Sequence, residues 1–109
     1  MQISQIRDSV SQASTIIGRA NSMARSEGAA SLQLQQNLQE LERKSTDAQE
    51  MLADGKSVDQ ARIVECIDEL EQIGDSAKRA SQASGTDPQI RDAVEQVHDK
   101  LSELKHELH

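Results

Sequence analysis

RSEGAASLQL, residues 25–34, decides the fold. Either Gly28 is the corner between two short helices, or it is a soft position inside one long one. The first case gives a self-contained bundle. The second leaves an apolar arm in need of a partner. No Pro, Asn or Asp stands beside Gly28, and Ala29 and Ala30, of the best helix-forming type, follow at once. Against continuity, a glycine inside a helix costs about 1 kcal/mol relative to alanine, and Ser31 is a suitable cap for a new helix.

Outward from this stretch, helical periodicity dominates. Steps of three and four residues from Ile3 reach Ile6, Val10, Ala13, Ile17, Ala20 and Ala24. The same frame passes through the polar Glu27 and Ser31, then meets Leu34, Leu38, Leu41, Ser45, Ala48 and Leu52. Such a stripe marks one face of a helix with a heptad-like repeat. It stops at a marked turn, where Gly55 suits the left-handed position after a helix and Ser57 with Gln60 forms a capping-box pattern. A second stripe runs through Ile63, Cys66, Ile67, Leu70, Ile73, Ala77 and Ala80. It ends at SGTDPQI, residues 84–90, where Gly85 can close one helix and Asp87 with Pro88 can open another. The last stripe is Ile90, Val94, Val97, Leu101, Leu104 and Leu108. Each of these two turns resets the frame, whereas the passage through Gly28 does not.

The expectation is therefore an all-α antiparallel helical bundle or coiled coil in one domain over 1–109. Its preferred form has a long N-terminal helix of about 2–53, kinked or broken near Gly28, followed by a hairpin of about 58–84 and 88–108. The alternative is an up-down four-helix bundle. A packing argument favours that alternative. Small residues at 18–31 and 74–85 would then share one end with Leu34, Leu38, Ile90 and Val94, so that small faces large.

The choice bears on function. A helix over 2–53 would be about 75–80 Å long, and the later helices, about 40 and 30 Å, would cover only its second half. The stripe Ile3, Ile6, Val10, Ala13, Ile17, Ala20 and Ala24 would then protrude. Isolated helices of this length are marginal in water, and a second copy of the chain would cover it. The expected role is a non-enzymatic interaction or scaffold protein that self-associates through this stripe, as a homodimer.

Composition excludes several other classes. The 109 residues contain no Phe, Tyr or Trp, so the core must be aliphatic and no aromatic platform exists for nucleic-acid bases. The net charge of −7 is uneven. Residues 1–26 carry Arg7, Arg19 and Arg25 against Asp8 alone, so the remainder is strongly acidic. An acidic surface repels phosphate, and no nucleic-acid partner is expected. No apolar run reaches the length of a membrane span, and no membrane partner is expected. The opening MQISQIRDSV lacks the basic start and apolar block of a signal peptide, which leads to the expectation of a cytoplasmic protein.

Chemistry-bearing residues are few. His98, His106 and His109 lie at i, i+8 and i+11, not at the i, i+3 or i+4 spacing of metal ligands on a helix. Glu95 with His98 and Glu103 with His106 have that spacing, but no second helix supplies a matching Glu-x-x-His. A histidine-phosphotransfer pattern would place Lys three residues after the His and then Gly. Val97-His98-Asp99-Lys100-Leu101 has Lys at two and no Gly. Cys66 sits on an apolar stripe among Glu65, Asp68 and Glu69, which suits a small buried hydrophobe better than a nucleophile. No catalytic, cofactor or metal residues are assigned.

Glu95, Asp99, Glu103 and Glu107 recur every four residues down the last helix, with Asp68, Glu71 and Asp75 on the helix before it. Like charges at that spacing repel, so a helix that keeps them either needs a solvated face or presents it to a basic protein. A basic partner for this face is the second expectation. The remaining alternatives are a regulator or chaperone that sequesters a basic protein, and a phosphotransfer or metal-binding bundle using His98.

Overall fold

The computed structural model describes residues 3–25, 30–53, 59–83 and 85–108. Four helices follow in order: α1 (Ile3–Ala24), α2 (Leu32–Met51), α3 (Gln60–Ser81) and α4 (Pro88–Leu108). Each packs on two neighbours, α1 on α2 and α4, and α3 on α2 and α4, with none across the diagonal among the described residues. Helices of about 33 Å within an envelope of 43 × 23 × 17 Å must run antiparallel. The expected all-α antiparallel bundle forms, broken near Gly28 and in its four-helix, up-down arrangement.

The uninterrupted rod over 2–53 does not form. Gly28 itself lies outside the described residues, but the chain on either side shows why two helices are the better solution. Ser31 is extended and its hydroxyl accepts from Leu34 N at 3.2 Å, which caps α2. Gln35 adds to the cap, donating from its backbone to Ser31 O at 3.0 Å and from its side chain to Ala30 O at 3.1 Å. The decisive gain is burial. Folding α1 back places Ile6, Val10, Ala13, Ile17, Ala20 and Ala24 in the same core as α2, α3 and α4. A projecting α1 would leave them in water, at about 25 cal/mol per Å² of apolar surface.

The other connections match the sequence in part. Asp87 Oδ1 accepts from Gln89 N at 2.8 Å, Pro88 takes the first helical position, and Gly85 has the positive φ, +92°, that a side chain resists. At the start of α3 the expected Ser57–Gln60 box is replaced by Asp59, whose carboxylate accepts from Ala61 N at 3.0 Å. Ser57 and Gly55 lie outside the described residues.

The core is aliphatic throughout, and small residues share one end of it with large ones. Ala20, Ala24 and Ala77 are buried in one cluster with Leu34, Leu38, Ile90 and Val94. The α3 stripe keeps Ile63, Ile67, Leu70 and Ala77 buried as expected but differs at three other positions. Gly74 and Ser81 point inward, while Ile73, Ala80 and Cys66 are only half-buried. Gly74 holds a core position because Leu101 presses on it: a Cβ there would stand 3.3 Å from Leu101 Cδ1.

Candidate functional site

The expected self-association stripe is an internal face. Ile6, Val10, Ala13, Ile17, Ala20 and Ala24 are buried within the chain's own bundle, and only Ile3, 46% exposed, reaches solvent. The premise that this stripe is bare is therefore corrected. The apolar positions of α2 and α4, on which α1 packs, cover it.

The acidic residues divide into two groups that spacing alone does not separate. Glu71 and Asp75 of α3 turn toward α4. Glu71 Oε2 lies 3.5 Å from Lys105 Nζ, and Asp75 Oδ1 lies 3.5 Å from His98 Nε2. Those of α4 turn outward. Glu95, Asp99, Glu103 and Glu107 are all exposed. At 100° per residue they fall within an arc of about 120°, opposite the buried Ile90, Val94, Val97, Leu101 and Leu104. Asp92, also exposed, falls in the same arc, and no Lys or Arg of α4 does. Arg91 and Lys100 flank it. Asp92 was missed in the sequence because the i+4 row does not pass through it, although its angle on the helix places it there. Asp99 has its Oδ1 3.6 Å from His98 Nδ1.

His98 sits at the α3–α4 seam with its side chain only 16% exposed. Carboxylates stand beside both ring nitrogens, Asp75 at Nε2 and Asp99 at Nδ1, and Nδ1 is buried with no hydrogen-bond partner. An anionic phosphoryl group arriving at either nitrogen would meet like charge. Among the described residues, no three His, Cys, Asp or Glu side chains stand close enough to hold a metal ion. His106 is exposed on the outer face of α4, and His109 lies outside the described residues.

Cys66 borders a shallow groove between α2 and α3 with Lys44, Asp47, Met51, Arg62, Glu65 and Glu69. Burial pushes its thiol above the ordinary value, Glu69 pushes it further, and Lys44 only partly opposes this. The thiolate is suppressed, as the acidic surroundings in the sequence imply. The other grooves are also open channels between or along helices. One, between α1 and α4, pairs the half-buried Ile16 and Met23 with Ala93, Arg19 and Asp92.

Polar side-chain contacts also tie α1 to α2. Asn21, buried, donates to Glu42, Ser45 donates to Ser14 at 3.4 Å, and Gln49 donates to Ser11 at 3.4 Å. These fix how α1 lies on α2, which periodicity of apolar residues could not foretell. No described helix is long and apolar enough to cross a membrane. No protein-family model, curated protein or solved structure matches the chain.

Proposed function

We propose that the protein is a non-enzymatic interaction module that presents the outer face of α4 to a basic protein. The observation that carries this reading is the exposed arc of Asp92, Glu95, Asp99, Glu103 and Glu107, free of Lys and Arg. Repulsion along such a row costs a few tenths of a kcal/mol per pair in the isolated chain, and a cationic partner would relieve it. The four-helix core holds the row on a rigid element, so binding needs little reordering.

The test uses a fluorescently labelled lysine-rich helical peptide, which is well suited to a chain without Trp or Tyr. Neutralising the face by Glu95→Gln, Asp99→Asn, Glu103→Gln and Glu107→Gln is compared with Glu40→Gln, Asp47→Asn, Glu50→Gln and Glu65→Gln. Both sets change the net charge equally, and all eight residues are exposed. Loss of binding with the first set alone, and a steep fall in affinity with salt, support the reading. Equal weakening by both sets would reduce it to nonspecific attraction to an acidic protein.

A further inference from the structure

Self-association through Ile6, Val10, Ala13, Ile17, Ala20 and Ala24 requires α1 to leave its own core, since those residues are buried there. The pattern of burial shows where it can go. Apart from Asn21, the buried positions of α1 and α2 are 6, 10, 13, 17, 20 and 24, then 34, 38, 41, 45, 48 and 52. They follow one alternation of four and three, in which position 31 is exposed and position 27 lies outside the described residues. From α2 to α3 the same count would place core residues at 62 and 66, yet Ile63 and Ile67 are the buried ones. From α3 to α4 it would place one at 91, yet Ile90 is buried. A hairpin has no need to keep phase across its connection. A continuous helix does.

We infer that two copies of this chain can exchange α1, by straightening the α1–α2 connection into helix. In phase, the two core stripes would then lie on one side of a single helix. Two such helices running antiparallel would place α1 of one copy on α2 of the other. The pairs Ser11–Gln49, Ser14–Ser45 and Asn21–Glu42 have midpoints between positions 29 and 32. A two-fold axis through the connection therefore recreates those pairs between chains. Each bundle would be completed by the partner's α1, with the core contacts of the monomer. The occupant of the site is thus a second copy of the chain, and this inference is independent of the α4 face.

The Ser31 cap on α2 holds the monomeric arrangement, and by residue type Gly28 is the weakest helix former in the connection, which disfavours the straight form. Replacing both by Ala favours the straight form by about five-fold each per chain. For a dimer of two chains, the association constant should rise by about 600-fold.

The experiment uses the full chain carrying Ser14→Cys, Ser45→Cys and Cys66→Ala, because the Ser14 and Ser45 hydroxyls lie 3.4 Å apart. This chain is compared with the same chain bearing Gly28→Ala and Ser31→Ala, and with one bearing Gly28→Pro. Each is refolded reduced over a range of concentrations, weighed by light scattering, and then oxidised and run on a denaturing gel without reductant. The Ala pair should yield dimers in which the thiol introduced at position 14 is linked to the one at position 45 of the other copy. Helix content should rise slightly by circular dichroism, because the connection between α1 and α2 becomes helix. Gly28→Pro, which cannot enter a straight helix, should remain monomeric with the link inside one chain. The inference fails if the Ala pair stays monomeric at millimolar concentration. It fails equally if dimers form whose 14–45 links are all intrachain, because those would be surface dimers.

Discussion

The α1–α2 seam and the α3–α4 seam border one aliphatic core but are tied in different ways. Between α1 and α2 the ties are short uncharged side chains, Ser11, Ser14, Ser45 and Gln49, with Asn21 on Glu42. Between α3 and α4 they are charged or chargeable groups, Glu71 with Lys105 and Asp75 with His98. Short polar side chains next to the core fix a register and are barely screened by salt. Long charged ones at the rim are screened and contribute little individually. The comparison teaches that the common core supplies cohesion, while the seams decide which helix pairs are held specifically and under what conditions.

The most severe way to break the comparison is to remove the shared core. Ile6→Asp with Ile17→Asp buries two unpaired carboxylates in the cluster that joins all four helices. Domains of this size are stable by only about 5–15 kcal/mol, so circular dichroism should show loss of helix across the whole chain. Retention of a folded α2–α3–α4 remnant would mean that α1 is an accessory to the core, not part of it.

A finer cut separates the seams. Asn21→Ala should cost about 1.5 kcal/mol, because Glu42 loses a charge-assisted bond beside the core, and urea unfolding should give the same loss at low and high salt. Glu71→Gln, which removes the partner of Lys105 across the seam, should cost less than about 1 kcal/mol. That smaller loss should shrink further at about 1 M salt, where screening reaches down to contact distances. Equal salt dependence for the two variants would erase the distinction between the seams.

The smallest effects concern the two helical glycines. A Cβ at Gly18 meets nothing within 4 Å, so Gly18→Ala should raise the stability of the bundle by about 0.5–1 kcal/mol. Gly74→Ala has the same helical advantage, but Leu101 Cδ1 must yield by a few tenths of an ångström. The gain on α3 should therefore be smaller than on α1. Thermal melts of the two variants test the order.

Much of the architecture was legible in the sequence because aliphatic residues at three and four spacing have few other uses in a chain without aromatics. The starts and stops at Gly85, Asp87 and Pro88 were equally plain, since each residue type suits one backbone position. The break before Ser31 was less so. An in-phase stripe is compatible with a hairpin and with a rod, and local propensity around Gly28 nearly balances. On α3, Gly74 rather than Ile73 points inward, where it lies against Leu101. Hydropathy ranks Ile above Gly for a core and so points the wrong way. The acidic row of α4 was readable, but its separation from the acids of α3 depended on Lys105 and His98 lying across the seam.

By itself, the sequence determined that the chain forms helices, which faces of them are apolar, and that α4 carries its carboxylates away from its apolar face. Those properties follow from residue order along a 3.6-residue turn and need no knowledge of neighbours. Only the tertiary structure decided that α1 returns to the bundle, that its stripe is covered from within, and that Ser14 meets Ser45 and Asp75 meets His98. Such pairings depend on which surfaces are close enough to exclude water. Several arrangements of the same helices satisfy the local rules, and burial summed over the whole chain selects among them.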